Sequence, residues 1–163
     1  MSNEEKQVVV ETLSMEQWEE KGRNGEEVCA TVNTNGISMW PLLRCYNDSV
    51  RIVYPNRELR IGDIVMFHRA DGREIAHRIN WMDDTMLDTL GDNCNKSDGK
   101  FPRDKVIGIV THVCRNGRLI PVDTKFWRFY GRFMLWSNPA RMFVRDKMYR
   151  PVRSGIRKLV KGK

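Results

Sequence analysis

Residues 105–122 read KVIGIVTHVCRNGRLIPV. Two runs rich in β-branched residues, Val106 to Val113 and Leu119 to Val122, flank Asn116-Gly117. That dipeptide suits a two-residue hairpin turn, because Asn and Gly both tolerate positive φ. Outward from this hairpin the same signature recurs in SVRIVY (49–54), DIVMFHR (63–69), EIAHRI (74–79) and TMLDTL (85–90). Val28, Ala30 and Val32 alternate with polar neighbours in the same way. Between the runs stand Pro55-Asn56, Asp71-Gly72, Asp83-Asp84 and Ser97-Asp98-Gly99, and Asp71-Gly72 is again a dipeptide that two-residue turns favour. Short strands at this spacing predict a mainly β chain, a barrel or coiled sheet over residues 27–123.

The two ends differ from this body. Ser14-Met15-Glu16-Gln17 fits a capping box, so residues 1–26 read as a short helical lead-in that Gly22 or Gly25 stops. From Thr124 to Lys163 the chain carries 12 Lys and Arg against a single acid, Asp146, together with 8 of its 15 aromatic residues. The segment TKFWRFYGRFMLWSNPARMFVRDKMYR predicts amphipathic helices interrupted near Ser137-Asn138-Pro139, where Pro139 suits a new helix start. Phe126, Tyr130, Phe133 and Trp136 fall on one face, with Lys125, Arg128 and Arg132 to one side. Such a face can make a peripheral contact with an anionic membrane through residues 124–163, or pack on the β domain. No nucleic-acid-binding motif is present, so nucleic acid is not the expected partner.

With 163 residues the chain can bury the core of one compact domain. No run approaches the roughly 18–20 apolar residues that span a bilayer. The start, MSNEEKQVVVETLS, is acidic and lacks a secretory signal's apolar core. The expected location is therefore cytoplasmic, peripheral on the inner face of the cell membrane if the tail docks there. Cys29, Cys45, Cys94 and Cys114 form no C-x-x-C pair, and His68, His77 and His112 form no H-x-x-x-H pair. Reduced, mostly buried thiols and no metal or other cofactor are expected.

Three places in the β region carry residues suited to acyl transfer. Ser38 lies in GISMWP, His77 in IAHRI, and the acids Asp92 and Asp98 in GDN and NKSDG. A hydroxyl becomes nucleophilic when a base takes its proton, and imidazole serves best when a carboxylate holds its tautomer.

The ordered elements SMWPLLR, LRIGDIVMFHR, IAHRI, GDN and VIGIV, from about Gly36 to Val110, resemble the signal peptidase I and LexA-like serine peptidase superfamily. The match covers roughly half the chain. It implies a coiled β-sheet barrel with a short N-terminal helix and basic C-terminal helices. Histidine at the base position, His77, is similar to the eukaryotic and archaeal signal peptidases rather than to the serine–lysine members. On this resemblance Ser38 is the nucleophile and His77 the general base. Asp98 is the preferred orienting acid and Asp92 a supporting carboxylate, with the reverse assignment open. The backbone N–H groups of Ile37 and Ser38 would meet the oxyanion, since Gly36 stands where many members carry a hydroxyl. The implied activity is a serine endopeptidase acting on a protein or peptide precursor after small residues at the first and third positions before the cut. Two departures from the family are expected: no run here is apolar enough for its membrane anchor, and the roughly 26 residues before the first strand are too few for a repressor's DNA-binding domain. A catalytically silent binding or regulatory module of this fold is the alternative. Asp63 of the IGD turn reads as structural, capping its own turn.

Overall fold

A computed structural model describes residues 15–24, 29–55 and 57–149. Eight strands form one antiparallel sheet: β1 Cys29–Asn33, β2 Asp48–Val53, β3 Ile64–His68, β4 Glu74–Met82, β5 Met86–Leu90, β6 Phe101–Pro102, β7 Val106–Arg115 and β8 Arg118–Pro121. Helix α1, Met15–Arg23, precedes them, and helix α2, Lys125–Val144, follows. The order across the sheet is β1-β2-β7-β3-β4-β5-β6, with β8 paired to β7. The expected barrel is a curled half-barrel: among the described residues no pairing joins β1 to β6. The two-residue β6 escaped the sequence reading because so short a run leaves no alternation to detect.

Asn116 and Gly117 take φ of 51° and 74° between β7 and β8, as a two-residue turn requires. Asp71-Gly72 behaves differently. It lies in a five-residue loop, 69–73, in which Gly72 N–H donates to Arg69 O and Arg69 N–H to Arg73 O, with Gly72 at φ 79°. A tight turn followed by a left-handed glycine replaces the expected two-residue turn.

The long strand β7 joins the two halves of the sheet. Its register slips against β2 between Arg51 and Ile52, and against β3 between Met66 and Phe67. Gly108 permits this crowding, since a Cβ there would stand 3.1 Å from Val53 O and 3.3 Å from Ile52 Cβ. The slips divide the apolar residues of β7 between two cores. Ile107, Val110 and Val113 join Trp18, Met39, Leu42, Leu43, Ile52 and Met66, whereas Val106 and Ile109 join Val65, Phe67, Ile79 and Leu87. Strand β3 is covered on both faces, so its run Ile64 to Phe67 is continuously buried.

Helix α1 is anchored by Trp18, which is 2% exposed and donates its indole N–H to Ile107 O at 3.3 Å. Gly22 does not stop this helix; it lies inside it. A Cβ there would come within 2.2 Å of the Tyr54 ring, so glycine is what lets the helix approach β2. Ser14, Gly25, Val28 and Asn56 lie outside the described residues, as do residues 150–163 of the tail.

Among the described residues one α-helix follows the sheet, where an interruption at Ser137-Asn138-Pro139 was expected. Pro139 lies within α2, and side chains engage carbonyls of the turn before it: Ser137 Oγ donates to Phe133 O at 2.7 Å and Arg141 Nη2 to Met134 O at 2.6 Å. Burial of Ser137, Asn138 and Met142 holds the chain helical past the proline. A π-helical turn, Arg145–Tyr149, follows. The four cysteines are free and half-buried rather than mostly buried.

Candidate functional site

The serine sits in the long connection between β1 and β2. Met39, Leu42 and Leu43 anchor that loop in the first core. Gly36 turns the chain at φ 101°, and the Trp40–Pro41 peptide is cis. Asp48, at the loop's far end, is buried between Arg115 and Arg44, each of which donates to its carboxylate. Burial pushes this carboxyl up, but those guanidinium contacts outweigh it and hold the pKa well below the usual range. Ser38 is half-buried, between Ile37 and Trp40, which are 65% and 57% exposed. Among the described residues, the backbone N–H groups of Ile37 and Ser38 donate to no acceptor.

Strand β4 supplies the histidine. His77 is 6% exposed and its Nδ1 lies 2.6 Å from Asp98 Oδ2. Thr89 Oγ1, on β5, donates to the same oxygen at 2.7 Å, and the Asp98 N–H donates to Thr89 O at 2.9 Å. These bonds fold the loop after β5 back on the sheet and aim the carboxylate at the imidazole. Burial raises the Asp98 pKa, but the bonds from His77 and Thr89 and the attraction of His77 reverse this, so the carboxyl lies below its ordinary value. An ionised carboxylate only accepts, which places the proton of neutral His77 on Nδ1 and the lone pair on Nε2.

That nitrogen faces the serine loop across Gly91. The β4–β5 pairing ends with Arg78 opposite Leu90, and Gly91 follows directly beyond that end. A Cβ on Gly91 would stand 3.0 Å from His77 Nε2, 2.8 Å from Ser38 O and 2.8 Å from Cys94 Sγ. Asn93 fastens the two loops together: its N–H donates to Ser38 O at 2.7 Å and its Nδ2 to Ile37 O at 3.1 Å. Among the described residues, no hydrogen bond joins Ser38 Oγ to His77 Nε2.

Asp92 is turned away from the histidine. Arg78 grips it in a two-pronged pair, Nε to Oδ1 at 2.8 Å and Nη2 to Oδ2 at 2.7 Å, with both side chains buried. Arg78 Nη1 also donates to Gly62 O at 2.8 Å. Because successive strand residues point to opposite faces, His77 and Arg78 serve opposite sides of β4. The two acids after β5 are thereby assigned to different partners. Asp63 accepts from Arg60 N–H at 2.9 Å and from Arg57 at 2.7 Å, capping its turn.

No protein-family model, curated protein or solved structure matches this chain. The side chains themselves carry the functional reading. Among the described residues no group of three or more His, Cys, Asp and Glu is placed to hold a metal ion.

Several roles in the site went unread in the sequence, although GDN itself was noted. Thr89, Gly91 and Asn93 order the two loops, and Arg78 holds Asp92. Arg141 and Arg145 of the C-terminal segment donate to the carbonyls of Asp92 and Asn93, and Asn138 Nδ2 donates to Cys94 O at 3.0 Å. One signal was available for Arg78: a guanidinium inside an apolar strand needs a buried acid, and Asp92 was the acid left over.

Proposed function

We propose that this chain is a serine endopeptidase, with Ser38 as nucleophile, His77 as general base and Asp98 as the acid that orients it. The observation that carries this reading is the buried His77–Asp98 pair, whose free Nε2 is directed at the Ser38 loop. A histidine held by a carboxylate on one nitrogen and open on the other is the arrangement that takes a proton from a hydroxyl. His77 would accept the Ser38 proton as Oγ attacks the scissile carbonyl, then return it to the departing amine. The uncommitted N–H groups of Ile37 and Ser38 would receive the developing oxyanion. Ile37 and Trp40 offer an apolar border to an incoming peptide. The finer fold likeness to LexA-like and signal peptidase domains, with a protein or peptide precursor as substrate, belongs to the same proposal.

The test is mass-spectrometric digestion of a leader-peptide library by wild type and Ser38→Ala. Cuts after small residues that disappear in the variant are expected. Cuts that persist in Ser38→Ala would refute the assignment. Gly91→Ala provides a second check. Its new methyl must displace the Ser38 carbonyl or His77, and a shift of about 1 Å at reacting groups costs on the order of 10²-fold in rate. The expected stability cost is roughly 1–3 kcal/mol. A Gly91→Ala protein that cleaves at the wild-type rate would show that the two loops need not meet.

One observation favours the silent binding module, the lack of an Oγ–Nε2 hydrogen bond among the described residues. Such bonds often tighten only when substrate is present. Thr89, Asn93 and Gly91 moreover converge on geometry that a module without chemistry has no need of.

A further inference from the structure

Helix α2 has two dissimilar faces. Gly131, Met134, Asn138 and Met142 are buried against the sheet and the loop after β5. Gly131 marks the closest approach, since a Cβ there would meet Arg78 Nη1 at 2.6 Å. The opposite face carries Phe126, Phe129, Phe133, Trp136 and Phe143, which are 66%, 71%, 47%, 79% and 63% exposed. Their spacing of three, four, three and seven keeps them in one row, about 26 Å long at about 1.5 Å per residue. The face read from the sequence placed Tyr130 in this row, but Tyr130 is half-buried and packs with Trp127 against the first core.

We propose that this aromatic row docks the protein on a bilayer surface rich in anionic lipid. Five large exposed rings in line form an apolar patch of a kind that soluble surfaces rarely leave open. Lys125, Arg128 and Arg132 border the row on one side, and among the described residues no ion pair engages them. The helix contains no acid, and residues 150–163 add six more Lys and Arg without an acid. Rings at the centre with cations along the edge match the acyl boundary and the phosphates above it. A second copy of this chain fits poorly, because a symmetric contact would set these cations against their own duplicates without an acid between them. Nucleic acid fits less well than lipid, since its phosphates would meet the rings and not only the bordering cations. The other face of α2 holds the carbonyls of Asp92 and Cys94, so docking would set the helix between the lipid surface and the loop after β5.

The experiment is co-sedimentation of the full chain with phosphatidylcholine vesicles, with and without phosphatidylglycerol. It includes a Phe129→Ser/Phe133→Ser/Trp136→Ser variant, whose folding is checked by circular dichroism and whose replaced side chains are exposed. Binding to the anionic vesicles is expected. It should weaken roughly tenfold or more in the variant, and also as salt rises from about 0.1 M to about 1 M and screening shortens. Wild type that stays in the supernatant, or a variant that binds as well as wild type, would overturn the proposal. Light scattering that shows a dimer abolished by the triple variant would assign the row to a second copy instead. Row-dependent binding of an oligonucleotide without vesicle binding would assign it to nucleic acid. Vesicle binding does not require catalysis, so Ser38→Ala should sediment like wild type, and failure here leaves the peptidase proposal standing.

Discussion

Asp98→Asn should lower turnover of a cleaved peptide by about 10⁴-fold while the protein stays folded. The carboxylate receives His77 Nδ1 at 2.6 Å and Thr89 Oγ1 at 2.7 Å. An amide in its place can present its NH2 group to Nδ1. That stabilises the tautomer with the proton on Nε2, where it can no longer accept from Ser38. The fold suffers less, since the amide fills the same volume and its NH2 group can donate to Thr89 Oγ1, a hydroxyl that accepts as well as donates. The pH dependence of stability should separate the two proteins as well. A carboxyl whose pKa is lowered by folding adds stability above its unfolded value, and that addition is lost as pH falls through the folded value. Asp98 is lowered from 3.8, so the stability gap between wild type and Asp98→Asn should narrow only below that pH. Single-turnover kinetics and a pH series of thermal melts would check both statements. An Asp98→Asn enzyme within tenfold of wild type would remove Asp98 from the catalytic assignment.

Asp92→Asn should have the opposite profile, a large loss of stability from which any loss of activity follows. Arg78 and Asp92 are each 2% exposed. Removing one charge of a buried pair strands the other in a medium that solvates it poorly, at a cost of about 3–5 kcal/mol. For a chain of this size that lowers the melting temperature by roughly 10 °C or more. Replacing both, as in Arg78→Met/Asp92→Leu, should cost less than the sum of the single changes, because no charge is left alone. Denaturant titration of the four proteins measures the coupling directly. Additive single effects, or an Asp92→Asn protein as stable as wild type, would contradict the structural role of this pair.

These two variants mark where sequence reasoning reached its limit. Ser38, His77, Asp92 and Asp98 were all legible as chemistry-bearing residues, because hydroxyl, imidazole and carboxylate are rare combinations beside turns and on apolar strands. Which acid faces His77 was not legible. Both acids follow β5 within a few residues, and a loop has no period from which side-chain direction can be read. The assignment depends on Thr89 drawing Asp98 inward and on Arg78 claiming Asp92, both contacts between separate strands and loops. Gly91 was visible only as the first residue of GDN. Its role depends on three groups that come together around it from distant parts of the chain.

Local pattern determined most of the strands, because alternation and turn dipeptides act over a few residues and the backbone obeys them almost regardless of context. It determined the Asn116-Gly117 turn and the presence of helices at both ends for the same reason. Tertiary structure alone decided that the sheet opens as a half-barrel, that Gly22 lies inside α1 and that α2 runs through Pro139. In the last two cases packing outweighs a local preference: the Tyr54 ring against Gly22, and the buried Ser137, Asn138 and Met142 beside Pro139. The aromatic row on α2 follows the same division. Composition announced rings and cations, but only packing against Arg78 and the loop after β5 settled which of them turn inward and which remain on the surface.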